Sequence, residues 1–180
     1  MRVITGTARG RRLKTLDGLD TRPTTDRVKE SIFNIVQFDI PGRNVLDLFG
    51  GSGQMAIEAV SRGARAATIV DHASAAVNII RDNVKACGFE REISVVSSDF
   101  SAYLRRCTQI FDVIFLDPPY QGDFLARALA QICEIDILSD GGIILCESAR
   151  EAELPALRAP YEKGREYQYG KTKITVYRKG

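Results

Sequence analysis

The sequence predicts a doubly wound α/β sheet that finishes in an antiparallel hairpin and is preceded by a basic arm and one helix. From residue 43 onward, short and strongly apolar strands alternate with helical segments, the pattern of a parallel sheet covered on both faces. The end of the chain differs: residues 161–169 and 173–177 flank Gly170-Lys171 as a hairpin-like pair. The start differs again, since residues 1–14 carry Arg2, Arg9, Arg11, Arg12 and Lys14 and no acid. At 180 residues, 44% hydrophobic and 27% charged, the chain is long enough for one core. We expect a single unit over 1–180, with 1–40 as arm and helix and 41–180 as the core.

Val3-Ile4 and Leu13 flank a basic turn, residues 7–12, which suits a small hairpin or extended arm. Pro23 disfavours helix at Arg22, and Thr24 or Thr25 can cap a helix that starts just beyond it. Val28, Ile32, Ile35 and Val36 recur at helical spacing with Phe33 beside them, predicting a helix over about 25–37 that ends before Pro41-Gly42. Val45 to Phe49 is the first core strand, followed by a helix over 55–60 that Gly63 stops. Ala66 to Val70 is the second strand, with a helix over 73–86 ending at Gly88. Ile93 to Val96 and Val113 to Leu116 are the third and fourth, then a helix over 123–135, and Ile143 to Cys146 is the fifth.

Charge is unevenly spread. Residues 1–30 and 161–180 are each net +4, which leaves 31–160 at net −6 within a total of +2. An acidic body flanked by basic ends suits a polyanion held by the termini. No apolar run approaches the ~20 residues of a membrane span, and the first residues lack the apolar core of a signal peptide. We therefore expect a cytoplasmic protein, and separately expect a monomer. Cys87, Cys107, Cys133 and Cys146 form no Cys-x-x-Cys pair and are expected as reduced thiols. A single histidine, His72, cannot build a zinc site, and no metal is expected.

Asp47-Leu48-Phe49-Gly50-Gly51-Ser52-Gly53 joins the first core strand to its helix. Gly51 and Gly53 permit positive φ and bring bare backbone to a ligand at the carboxyl ends of the strands. Asp71 ends the second strand, where a carboxylate can accept from ribose hydroxyls. Asp99 ends the third, where it can accept from an adenine amino group, and Phe100 can wall that adenine. Three acids at successive strand ends suit a nucleoside without phosphate. On this loop alone a dinucleotide stays open, because Gly51-x-Gly53-x-x-Ala56 also fits that fingerprint. No Gly-x-x-x-x-Gly-Lys-Ser/Thr run is present.

Asp117-Pro118-Pro119-Tyr120 comes directly after the fourth strand. Two prolines fix φ and remove two backbone donors, so the carbonyl they present is rigid. With the Asp117 carboxylate it makes two acceptors, enough to hold both hydrogens of an amino group. Tyr120 can stack on a flat base. A planar amine is a poor nucleophile, so alignment and support of developing positive charge are its main needs. This selects a methyl donor, S-adenosylmethionine, over a dinucleotide. No Pro-Cys pair is present for covalent attack on a pyrimidine carbon. Amino-methylation of DNA adenine or protein glutamine remains open on these residues, as does an assembly factor with a vestigial fold.

The chain resembles the bacterial small-subunit (16S) ribosomal RNA guanine-N2 methyltransferases. The resemblance runs from Arg2 to Lys179 and is carried by residues 1–6, 22–34, 47–53, 58–64, 112–120 and Tyr169-Gly170. Asp-Pro-Pro-Tyr alone spans many N-methyltransferases; the Arg22-Pro23-Thr24-Thr25-Asp26-Arg27 segment is far more specific. The resemblance implies a Rossmann-like class I S-adenosylmethionine-dependent fold and methylation of one guanine in an assembled or assembling small subunit. It implies that residues 22–27 lie near the active site with Arg22 and Thr24 facing the substrate, and that Arg9, Arg11, Arg12 and Lys14 contact phosphates. The chain departs from the family at Gly50, where Ala is usual, at Gln54-Met55, where small residues or Leu are usual, and at Ala73, often an acid.

Overall fold

The computed structural model describes residues 1–16 and 26–180. Its elements are α1 (Asp26–Ile35), β1 (Asn44–Asp47), α2 (Gln54–Ser61), β2 (Ala66–Asp71), α3 (Ser74–Cys87), β3 (Ile93–Ser97), α4 (Phe100–Leu104), β4 (Phe111–Leu116), α5 (Phe124–Ile135), β5 (Leu138–Ala149), β6 (Tyr161–Tyr169) and β7 (Thr172–Lys179). One seven-stranded sheet has the order β3-β2-β1-β4-β5-β7-β6. Strands β1 to β5 pair in parallel, whereas β7 runs antiparallel to both β5 and β6. The terminal hairpin is thus inserted at one edge of a parallel sheet, as its sequence predicts.

Alternation along the strands divides the core in two. Val45, Val113, Phe115, Ile143, Leu145 and Ile174 face a layer built by α1, α2, α3 and the N-terminal arm. Leu46, Ile114, Leu116, Ile144, Cys146 and Tyr177 face α4 and α5. All four cysteines are free, with Cys133 and Cys146 buried. No helix among the described residues is long and apolar enough to cross a membrane.

Strand β1 stops at Asp47 instead of Phe49, and two further elements differ from expectation. Strand β5 begins at Leu138, not Ile143, because Gly141-Gly142 sit inside it at a register shift opposite Phe111–Val113. Helix α4 has no counterpart in the sequence pattern. At five residues it has too little periodicity to detect, and its start depends on Asp99, whose side chain accepts from Ser101 N and Ala102 N.

The arm is a small hairpin. Arg2 bridges Arg12, and Val3 N donates to Arg11 O at 2.9 Å. It is fastened to α2: Ile4 N and Thr5 N donate to the Glu58 carboxylate at 2.8 and 2.9 Å, and Ala8 N donates to Ser61 Oγ. Gly6 has φ +88°, and a Cβ there would lie 1.7 Å from Ser61 O. Only glycine lets the arm lie this close to the helix.

Candidate active site

The strand order reverses between β1, which pairs with β2, and β4, which starts the other half. Ligands of open α/β sheets bind at the carboxyl ends of strands around such a point. Here β1, β2, β3 and β4 deliver Asp47, Asp71, Asp99 and Asp117, all four of the predicted acids, to one edge of the sheet.

Asp47 is 2% exposed. Burial pushes its carboxyl up to about 7, against backbone hydrogen bonds from Ala56 and Phe49, and the nearby Asp71 adds to the upward push. Among the described residues its Oδ2 has no hydrogen-bond partner. Asp71 is half-buried. It accepts from Gly51 N and from Ala73 N, both at 2.9 Å, and so ties the glycine loop to the end of β2. His72 is exposed, with Nδ1 3.8 Å from Asp71 Oδ1. Asp99 is exposed and caps α4 with Oδ1.

The loop between β1 and α2 has Gly51 at φ +57° and Gly53 at φ +78°. Gly50 explains one departure from the family pattern. A Cβ there would meet Ile69 Cγ2 at 2.4 Å and Ile80 Cδ1 at 2.9 Å, so these two isoleucines fill the space an alanine would need. The loop is also held from below. Asn83, 1% exposed on α3, donates to Ser52 O and Lys14 O, and accepts from Lys14 N at 2.7 Å.

Phe49 and Phe100 lie with ring centroids 5.2 Å apart. Phe124 of α5 completes a trio at 6.3 and 6.0 Å, and the Arg127 guanidinium sits 5.3 Å over the Phe100 ring. Phe124 and Arg127 carry no sequence signal, since their helix reads only as a cover for the sheet.

Beyond β4, Pro118 is buried while Pro119 and Tyr120 are exposed. The Tyr120 hydroxyl donates to Glu147 Oε1 at 3.1 Å and lies 3.2 Å from Thr172 Oγ1. The ring is therefore anchored at its tip while 36% of the residue remains exposed. Asp117 and Glu147 line a small open cleft together with Ile32, Met55, Phe115 and Ile174. Sequence reasoning misses Glu147 and Thr172: one ends an ordinary core strand and the other starts the hairpin return, and only folding brings them to Tyr120.

Arg9, Arg11 and Arg12 are exposed on the arm and make no ion pair among the described residues. Arg22 and Thr24 lie outside the described residues.

This sheet order, with its loop after β1 and acids at the strand ends, is the fold of a class I methyltransferase. A solved Escherichia coli structure provisionally described as methyltransferase yhhF superposes with a TM-score of 0.90 at 30% identity, covering 99% of this chain and 97% of that one. A Haemophilus influenzae structure provisionally described as methylase HI0767 does so at 0.84 and 29%, with 99% and 97% covered. The family model described as conserved hypothetical protein 95 matches residues 1–178. The Bacillus subtilis protein YlbH, provisionally named an rRNA methyltransferase, is 40% identical over 182 residues, 99% of each chain. Ribosomal RNA small subunit methyltransferase D of Escherichia coli K12 is 32% identical over 181 residues, 99% of this chain and 90% of that one. The chain belongs to this family of small-subunit ribosomal RNA methyltransferases.

Proposed function

We propose that the chain transfers a methyl group from S-adenosylmethionine to the exocyclic N2 of a guanine in small-subunit ribosomal RNA, within an assembled or assembling subunit. The observation that carries this reading is the position of Asp117-Pro118-Pro119-Tyr120. Phe115 lies opposite Asp47 in the sheet register, so the acceptor turn rises directly beside the strand that ends in the orphaned Asp47 carboxylate.

The residues present suit the donor. S-adenosylmethionine supplies, when bound, an electrophilic methyl group on a cationic sulfonium. The unpartnered, buried Asp47 Oδ2 is an acceptor waiting for a cationic or N–H-bearing ligand, and a positive group there favours its charged form. Asp71 keeps lone pairs for ribose hydroxyls even while it accepts two backbone N–H groups. Asp99 stands where an adenine amino group can donate, and Phe49 and Phe100 wall the adenine. Gly51 and Gly53 let the backbone approach.

On the acceptor side, the Asp117 carboxylate and the Pro118 carbonyl receive the two amino hydrogens. This turns the nitrogen lone pair toward the donor and supports positive charge as it develops. Asp117 acts by alignment, not as a strong base. Tyr120, anchored through its hydroxyl, offers its ring to the base plane. The base must leave its stack to reach this turn. Arg9, Arg11, Arg12, Arg22 and Thr24 contact the surrounding RNA. The names of the relatives support ribosomal RNA of the small subunit as the substrate class.

The test is Asp117→Ala, assayed by labelled methyl transfer to small subunits, free RNA, DNA and protein extract. Turnover on small subunits is expected to fall on the order of a hundredfold or more, with affinity for S-adenosylhomocysteine nearly intact. Undiminished transfer by the variant removes Asp117 from the reaction. Wild-type label appearing only in DNA or protein rejects the substrate, and particle binding without transfer reduces the chain to an assembly factor.

A further inference from the structure

Two carboxylates end on the acceptor side of the sheet. Leu116 of β4 pairs with Cys146 of β5, so the next residues along each strand, Asp117 and Glu147, stand side by side on strands about 4.8 Å apart. Leu116 and Cys146 face α5. Side chains alternate along a strand, and Asp117 and Glu147 accordingly turn to the other face, where both line the same cleft. Glu147 is 8% exposed among Ile32, Phe115 and Ile174.

We propose that Glu147 reads the identity of the base: its carboxylate accepts the N1–H of the target guanine while Asp117 holds the neighbouring amino group. This rests on guanine N2 being the methyl acceptor. Guanine presents N1–H beside its N2 amino group, two donors in a row. Adenine presents its amino group beside a bare N1, and cytosine presents its own beside a bare N3. Asp117 and the Pro118 carbonyl can align any of these amines. A second carboxylate beside them distinguishes the bases, because against adenine or cytosine it sets lone pair against lone pair with no proton between. The hydrogen bond from Tyr120 to Oε1 fixes the orientation of the carboxylate, so the ring that stacks on the base also positions the group that reads it. Glu147 is thus a specificity-determining residue.

The experiment uses small subunits reconstituted with RNA that carries either guanine or 2-aminopurine at the methylated position. 2-Aminopurine keeps the amino group and has a bare N1. Wild-type enzyme is expected to favour guanine in kcat/KM by more than about a hundredfold, as sites built around a substrate donor do. Glu147→Gln keeps an acceptor for the Tyr120 hydroxyl and turns an amide N–H toward N1. It is expected to lose on guanine and gain on 2-aminopurine, narrowing the ratio by about tenfold or more, with unchanged affinity for S-adenosylhomocysteine. An unchanged ratio in the variant overturns the proposal. So does a wild-type enzyme that uses both bases within about threefold, a measurement that no variant's folding can confuse. Transfer to guanine without base preference removes the role of Glu147 alone, whereas no transfer to either base removes the parent function with it.

Discussion

Asp47 and Glu58 are both buried carboxylates joined to α2, and they are opposites in every other respect. Glu58 is fully buried and fully engaged: Ile4 N, Thr5 N and Arg62 Nε donate to it at 2.8 to 2.9 Å, and Lys29 Nζ lies 3.6 Å away. Asp47 accepts two backbone hydrogen bonds, leaves Oδ2 without a partner and has another acid, Asp71, as its charged neighbour. Glu58 fastens the arm and α1 to the core, whereas Asp47 is the acid we propose for the ligand. Burial of an acid therefore does not mark a site; what the fold leaves unsatisfied does.

If Glu58 is a fastening, its removal should produce the largest loss of stability. Glu58→Ala strands Lys29, whose side chain is 0% exposed, and Arg62, 14% exposed. Burial already pulls the Lys29 ammonium below its usual range, and Glu58 is the first group that pulls it back. Breaking a buried pair from one side costs about 3–5 kcal/mol. The denaturant midpoint should fall accordingly, and protease should reach residues 1–14 first. A midpoint within about 0.5 kcal/mol of the wild type would place the hold on the arm elsewhere, in its apolar contacts through Val3, Ala8 and Leu13.

Asp47→Asn should do the reverse, weakening the ligand while sparing the fold. Affinity for S-adenosylhomocysteine is expected to drop about tenfold or more, as for loss of one buried charged hydrogen bond. The pH dependence carries a definite sign. The carboxyl titrates near 3.8 in the unfolded chain and about 7 in the folded one, so between those values the folded state binds the extra proton. Stability from this group is full below pH 4, falls as pH rises to about 7 and is flat beyond it, by at most a few kcal/mol at about 1.4 per pKa unit. Asp47→Asn should remove that slope from a series of melts. A cationic ligand favours the carboxylate, so binding near pH 7 should release a proton, visible by calorimetry in buffers of different ionisation enthalpy.

The contrast between these two acids also explains what can be read from the sequence. Asp71 and Asp117 are legible because each directly follows an apolar run, Asp99 because only two residues separate it from one, and Asp47 because a glycine loop follows the run that contains it. Glu58 is not, since it sits inside the apolar stretch Met55–Val60 and its partners come from residues 4, 5, 29 and 62. Lys29 stands out in the sequence only as part of a family segment; its side chain donates to Arg2 O at 2.6 Å inside the protein, so part of that segment serves the fold. Glu147 and Thr172 escape for the same reason, their meaning arising only where β5 and β7 meet Tyr120. Local pattern yields strands, caps and turns, while pairs of distant polar residues wait for the fold to define them.

The smallest expected effects come from two neighbours on α3, and they separate burial from charge within a single helical step. Asn83 is 1% exposed and makes three hydrogen bonds, two to the Lys14 backbone and one to Ser52 O in the glycine loop. Asn83→Ala leaves those groups without their partner at a cost of about 1–3 kcal/mol. It should also weaken S-adenosylhomocysteine binding, because the loop loses its support. Asp82 pairs with the same Lys14 through its ammonium at 2.8 Å, with both side chains more than half exposed. Water and salt screen such a pair, so Asp82→Ala should leave the denaturant midpoint and ligand affinity where they were. Equal losses in the two variants would mean that the arm is held at its far end by charge. The loop would then owe nothing to the arm. Loss in Asn83→Ala alone, unaffected by added salt, ties arm and loop together through one buried amide.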